Sequence, residues 1–73
     1  MFTSINMIKI TANGETFSIE DGTSLPDFLA ERGQAPERVV VERNGEALTQ
    51  SDAKAATLAS GDVLEIVRIV AGG

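Results

Sequence analysis

Apolar and polar residues alternate in two short segments near the start of the chain, residues 7–12 and residues 15–19. The apolar positions are Ile8, Ile10 and Ala12 in the first segment and Phe17 and Ile19 in the second. A period of two is typical of a strand that buries one face. Asn13-Gly14 lies between the segments and favours a tight turn, because both residues tolerate positive φ. The pattern predicts a β-hairpin.

The spacing of apolar residues then changes from two to three and four, the spacing of a helix with one buried stripe. We expect this helix at residues 24–32. Thr23 or Ser24 can cap its start, and Pro26 fits its first turn. Gly33 can end it in a left-handed conformation. The residues of the buried stripe are Leu25, Phe28 and Leu29.

The second half of the chain predicts further strands. A β-branched run at residues 39–43 indicates a strand, Asn44-Gly45 a second tight turn, and residues 46–48 its partner. We expect a loop with a short helical turn at residues 51–58, where the chain is polar and rich in Ala. The last strand is predicted at residues 63–70. Its expected faces are Leu64 and Ile66 toward the core and Val63, Glu65 and Val67 toward solvent.

Two strands, a crossing helix and further strands predict a mixed sheet curled around one helix. This is the β-grasp, or ubiquitin-like, arrangement: an α+β fold with a mixed sheet of four to five strands packed on one short helix. We expect the β-grasp domain at residues 7–70, a short N-terminal extension at residues 1–6 and a flexible Gly-Gly tail at residues 71–73.

The composition excludes several kinds of chemistry. The 73 residues include no Cys, His, Trp or Tyr and three Phe. Without Cys and His, the chain lacks thiolate metal sites and the two commonest acid–base and nucleophilic side chains. The scarcity of aromatic residues and the net charge of −5 disfavour nucleic acid and anionic membranes. The same charge favours basic protein partners.

The sequence also carries no motif for a bound cofactor. No apolar stretch is long enough to span a bilayer, and neither a phosphate-binding Gly-rich loop nor an Asp-rich calcium loop is present. The eleven carboxylates are expected to form a solvated acidic face rather than a catalytic pair. We therefore expect a cytoplasmic protein with no metal and no cofactor of its own.

Gly72 and Gly73 follow an apolar run and offer a place for chemistry. Because glycine has no Cβ, such a segment can pass through a narrow channel and present an unhindered carboxylate to an enzyme. A carboxylate becomes electrophilic once it is activated, for example as an acyl-adenylate. With no Cys in the chain, the Gly73 carbonyl is the only plausible place for a sulfur or acyl linkage. A short tail without chemistry is the alternative, and composition does not separate the two.

Four segments resemble a known family. They are Asn13-Gly14, residues 39–46 (VVVERNGE), residues 60–67 (SGDVLEIV) and residues 70–73 (VAGG). Together they resemble the bacterial sulfur-carrier proteins of thiamine biosynthesis, the ThiS type, which are small ubiquitin-like domains ending in Gly-Gly. The resemblance runs from about Met7 to Gly73. Residues 1–6 extend beyond the usual family start, as a real extension or through an alternative start codon.

The resemblance implies that the chain is a protein co-substrate and not an enzyme. A ubiquitin-activating-like adenylyltransferase (ThiF type) adenylates the Gly73 carboxylate with ATP and Mg²⁺ of its own. Sulfur from cysteine, delivered through a cysteine desulfurase, then replaces AMP to give a C-terminal thiocarboxylate. A thiazole synthase (ThiG type) takes this sulfur to build the thiazole ring of thiamine. Gly72 is the flexible neighbour of the reacting group.

The outward apolar residues at the end of the chain are candidates for the surface that docks these partners. They are Val63, Val67, Ile69, Val70 and Ala71. Ordinary strand packing is the alternative for them.

Three other functions stay open. The small subunit of molybdopterin synthase (the MoaD type) shares the fold and the Gly-Gly end. It typically approaches that end through Pro-Pro-Val, where this chain has Arg68-Ile69-Val70. A ubiquitin-like protein modifier would form isopeptide bonds from the same carboxylate. A plain β-grasp interaction module with an incidental tail is the third alternative.

Overall fold

The computed structural model describes residues 5–70. Within this range the chain forms five strands and two α-helices. They are β1 (Met7–Ala12), β2 (Glu15–Glu20), α1 (Leu25–Glu31), β3 (Val39–Arg43), β4 (Glu46–Ala47), α2 (Gln50–Ala55) and β5 (Val63–Arg68). A single 3-10 turn, Pro36–Arg38, leads into β3.

The five strands form one mixed sheet in the order β2-β1-β5-β3-β4. The central pair, β1 and β5, is parallel, while β2 pairs with β1, β3 with β5, and β4 with β3 in antiparallel fashion. The chain therefore leaves the sheet after β2, forms α1, and returns to the opposite half of the sheet as β3. This topology confirms the predicted mixed sheet packed on one short helix.

Both predicted hairpin turns are present, and each uses an Asn-Gly pair in the left-handed region. Asn13 and Gly14 have φ of 50° and 81°, and Asn44 and Gly45 have φ of 52° and 87°. Positive φ at both central residues matches the right-handed twist of the flanking strands, so the turn closes without splaying them.

Helix α1 begins and ends where its capping residues predict. The Ser24 hydroxyl accepts a hydrogen bond from the Asp27 N–H at 3.1 Å. At the other end Gly33 has φ of 72°, its N–H donates to the Ala30 carbonyl, and the Gln34 N–H donates to the Leu29 carbonyl. This pair of bonds is a Schellman motif, which satisfies carbonyls that the last helical turn leaves free.

The core lies between α1 and the inner face of the sheet. Its largest fully buried side chains are Phe28, Ile10, Leu25, Leu29, Leu64, Val39 and Val41. Ala53 of α2 and Leu58 are also buried in this core. Alternate residues of β1, β2, β3 and β5 supply this core, while both residues of β4 are exposed. Within residues 5–70 the opposite face of the sheet carries no helix.

Three boundaries differ from the sequence predictions. The last strand ends at Arg68 rather than at residue 70, because its partner β3 begins at Val39, which lies opposite Arg68. The segment predicted as a loop with a helical turn contains the six-residue helix α2, capped by the Thr49 hydroxyl, which accepts from the Asp52 N–H. The partner of the second hairpin is only two residues long.

The predicted extension at residues 1–6 falls partly outside the described residues, which start at Ile5. The Asn6 carbonyl accepts a hydrogen bond from the Asp21 N–H at 2.8 Å, so the ladder of the first hairpin continues one residue ahead of β1. The division into extension, domain and tail stays a prediction.

Candidate functional site

The described part of the predicted docking surface is exposed to solvent. Val63 and Val67 project from the outer face of β5, as alternation predicted, with Leu64 and Ile66 buried behind them. Ile69 and Val70 follow the strand. The exposed fractions are 48% for Val63, 61% for Val67, 52% for Ile69 and 82% for Val70. Ala71, Gly72 and Gly73 lie outside the described residues.

The sheet adds an apolar residue that sequence reasoning missed. Val40 of β3 lies directly opposite Val67 in the antiparallel register and is 47% exposed. Val39 and Val41 on either side of it are buried. The alternation of the run at residues 39–43 could have identified Val40 as an outward residue, but only the strand order places it beside Val67.

Two carboxylates lie on the same face of the sheet, two residues from Val40 and Val67 along each strand. Glu42 of β3 is directly opposite Glu65 of β5, and both are exposed. Within residues 5–70 the only ion pair joins Arg43 and Asp62, so neither Glu42 nor Glu65 has a basic partner there. We call the set Val40, Glu42, Val63, Glu65 and Val67 the outer face.

The turn of the first hairpin holds the outgoing half of β5 in place. The Asn13 Nδ2 donates to the Ile66 carbonyl at 3.1 Å, and the Asn13 Oδ1 accepts from the Ile66 N–H at 2.7 Å. The Asn13 backbone N–H donates to the Leu64 carbonyl at 2.9 Å. The side-chain amide thus takes the place of a peptide group and continues the ladder where β1 turns away from β5.

A buried carboxylate fixes the other end of β5. Asp62 is 6% exposed and accepts hydrogen bonds from Arg43 Nε and Nη2, from Asn44 Nδ2 and from the Ala59 N–H. Burial raises the pKa of Asp62, but these hydrogen bonds and the guanidinium charge outweigh it, and the net pKa lies below the ordinary value. Asp62 is therefore an anion that anchors the turn before β5, not an acid–base group.

An open groove of about 440 Å³ lies beside the outgoing end of β5. Its lining includes Ala12, Asn13, Phe17, Arg32, Gln34 and Ile66. The Arg32 guanidinium lies 4.3 Å from the centre of the Phe17 ring, and that ring meets Phe28 edge-on at 5.4 Å. The stack covers the edge of the core, and the carboxylates of Glu15 and Glu31 also line the groove.

Two further kinds of site find no support in residues 5–70. No group of three His, Cys, Asp or Glu side chains comes together in a way that could hold a metal ion. No helix in this range is long and apolar enough to cross a membrane.

A mixed sheet of order β2-β1-β5-β3-β4 that packs on α1 defines a ubiquitin-like β-grasp domain. An exposed strand end that leads toward Gly72-Gly73 gives this domain its candidate site. The ThiS family model matches residues 5–73, and the chain belongs to this family.

Solved structures agree with this assignment. The thiamine biosynthesis protein ThiS from Geobacter metallireducens superposes with a TM-score of 0.73 at 29% identity, over 90% of this chain and 100% of that one. A computationally designed protein based on human erythrocytic ubiquitin superposes with a TM-score of 0.52 at 22% identity, over 92% of this chain and 95% of that one. The second likeness bears on the fold alone.

A curated relative is much longer than this chain. It is a thiazole synthase from Magnetococcus marinus, 39% identical over 66 residues. The match takes in 90% of this chain but spans only 20% of the length of that relative.

Proposed function

We propose that this chain is a sulfur carrier of thiamine biosynthesis whose Gly73 carboxylate is converted to a thiocarboxylate. The observation that carries the proposal is the match of the ThiS family to residues 5–73, which includes Gly72-Gly73. The likeness to a protein of thiamine biosynthesis and to a thiazole synthase supports the same pathway.

The chemistry has two steps at one carbonyl carbon. A carboxylate oxygen of Gly73 attacks the α-phosphorus of ATP, pyrophosphate leaves, and an acyl-adenylate forms. Hydrosulfide then attacks the carbonyl carbon, the C–O bond to AMP breaks, and the thiocarboxylate and AMP are the products. When a desulfurase persulfide is the donor, an acyl disulfide forms first, and a thiol must reduce it to release the thiocarboxylate.

The residues of this chain supply a substrate and a docking surface rather than catalysis. No Cys or His is present, so the chain offers no nucleophilic thiol and no imidazole base. Gly72 and Gly73 have no Cβ and present the carboxylate without steric hindrance. Exposed Val63, Val67, Ile69 and Val70, with Ala71 after them, are the proposed contacts.

Three partners follow from this role. A ubiquitin-activating-like adenylyltransferase of the ThiF type uses ATP and Mg²⁺ to activate Gly73, and a cysteine desulfurase supplies sulfur. A thiazole synthase of the ThiG type is the proposed acceptor, since a protein of that name has a region similar to this chain within one polypeptide.

The test is the intact mass of the full chain after incubation with its adenylyltransferase, Mg²⁺-ATP and sulfide. The mass should rise by the difference between sulfur and oxygen, and fragmentation should place the change on Gly73. Deletion of Gly73 is the control and should abolish the change. An unchanged mass in the intact chain, or an increase that survives the deletion, would contradict the proposal.

The acceptor is tested separately. The thiocarboxylated chain is offered to purified thiazole synthase and to the large subunit of molybdopterin synthase. Sulfur transfer to the first alone is expected. Transfer to the second alone would assign the chain to molybdopterin synthesis, and isopeptide conjugates in extract that require Gly73 would identify a protein modifier.

A further inference from the structure

We infer that the outer face docks a partner protein that presents an arginine or lysine between apolar side chains. Glu42 and Glu65 bind this basic side chain. The inference rests on the proposed function. The strand register puts the exposed side chains of Glu42 and Glu65 directly opposite each other. Directly opposed side chains on adjacent strands lie about 5 Å apart, and like charges in that position destabilise the sheet.

Within residues 5–70, no basic side chain offsets the repulsion between Glu42 and Glu65. Arg43, next to Glu42 in sequence, is bound to the buried Asp62 by a 2.7 Å ion pair. Neither Glu42 nor Glu65 has a basic side chain within ion-pair distance in this range, and the whole chain carries a net charge of −5. A cation from outside the chain would remove the repulsion.

The surroundings of the pair select the kind of cation. Along β5 the outward residues are Val63, Glu65 and Val67, so valines stand on both sides of the carboxylate. Val40, opposite Val67, widens the apolar part. A guanidinium or ammonium group on an apolar stem fits this arrangement, because the stem covers the valines while the charged head meets the carboxylates. A free metal ion would leave the valines uncovered.

The same charges argue against a second copy of this chain as the occupant. Two outer faces pressed together would bring four carboxylates into one interface. The partner is therefore a different protein with basic and apolar groups. The probe we choose is thiazole synthase, because a protein of that name contains a region similar to this chain.

The experiment measures the affinity of the full chain for purified thiazole synthase by calorimetry. Glu42→Gln/Glu65→Gln should weaken binding about tenfold at about 50 mM salt, as expected for two lost charge pairs. The difference should shrink at about 300 mM salt. The matched control Glu20→Gln/Glu31→Gln removes two exposed charges from β2 and α1 and should leave the affinity unchanged.

The melting temperature of the double variant shows whether weaker binding comes from lost recognition or from impaired folding. Because the substitution relieves a like-charge contact, the Glu42→Gln/Glu65→Gln variant should melt at the same or a higher temperature than the wild type. Weaker binding by a protein that is at least as stable can only come from the lost carboxylates.

Two results would overturn the inference. One is binding to thiazole synthase that is as tight in the double variant as in the wild type. The other is self-association of the double variant with unchanged affinity for thiazole synthase, which would mean that the pair only keeps copies apart. The mass change on Gly73 is measured on the same wild-type protein, so failure of the proposed function is recorded independently of this binding result.

Discussion

The side-chain amide of Asn13 is hydrogen-bonded in both directions to the backbone of Ile66, accepting from its N–H at 2.7 Å and donating to its carbonyl at 3.1 Å. The two residues are 53 positions apart in the chain. Through this contact the first hairpin turn fixes the half of β5 that leads toward the Gly-Gly end.

Replacement of Asn13 by Asp should destabilise the fold. Aspartate has no N–H donor, so a carboxylate oxygen would face the Ile66 carbonyl, and both groups would be left without a partner. We expect a loss of about 1–2 kcal/mol in the free energy of unfolding, measured by urea denaturation at neutral pH.

The control is Asn13→Gly, which keeps the positive φ and removes only the amide. It should lose about 1 kcal/mol, since Asn13 is exposed and water can satisfy the freed backbone groups of Ile66. An Asp variant that is as stable as the wild type would show that the contact with Ile66 contributes nothing to folding.

The buried Asp62 predicts a loss of stability in acid. Its pKa is lowered in the folded state, so its contribution is complete above the unfolded value of about 4 and is lost as the pH falls through the lower folded value. At pH 7, Asp62→Asn should cost about 2–3 kcal/mol, because Arg43 loses its anion.

Urea denaturation from pH 7 to about pH 3 checks the sign. The wild type and Asp62→Asn should converge as the pH falls below about 4. A difference that is constant across the range would mean that the charge of Asp62 is not what stabilises the turn before β5.

Substitutions at an exposed and at a buried residue of β5 should affect partner binding and folding stability separately. Val67→Ser removes an exposed apolar group, so we expect less than about 0.5 kcal/mol change in stability but at least about 1 kcal/mol weaker binding to the adenylyltransferase. Leu64→Ala, at a fully buried position, should instead cost about 2–5 kcal/mol of stability. Affinity that is unchanged in Val67→Ser would remove Val67 from the docking surface.

Gly33 tests how strongly the end of α1 depends on backbone conformation. A Cβ built on Gly33 meets no atom within 4 Å, so Gly33→Ala has no steric clash with neighbours. Its φ of 72° is unfavourable for alanine, and we expect a loss of about 1 kcal/mol in thermal or urea denaturation. Gly33→Asn should lose less, since asparagine tolerates the left-handed region better.

The local signals in the sequence predicted much of this fold. Both Asn-Gly turns and the capped helix α1 depend on residues within a few positions of one another, and all three are present. Helix α2 was predicted only as a turn, because its polar, Ala-rich segment buries a single residue, Ala53, and shows no apolar stripe.

The contacts between distant strands could not be predicted in the same way. The opposition of Glu42 and Glu65, the place of Val40 beside Val67 and the Asn13–Ile66 bonds all require the strand order and register. The alternation along β5 was correct for five residues, yet residues 69 and 70 are not strand, because β3 begins at Val39, opposite Arg68, and the ladder between the two strands ends there.

The end of β5 also limits where a partner can perform its chemistry. The Ile69 N–H donates to the Arg38 carbonyl at 2.9 Å, so the chain is held to the domain as far as Ile69. The four residues that follow, up to Gly73, can span at most about 14 Å when fully extended. Under the proposed function, a partner bound to the outer face must therefore have its reactive centre within that distance of Ile69. Under the proposed function, the adenylyltransferase and the sulfur acceptor would both have this spacing, although their reactions differ.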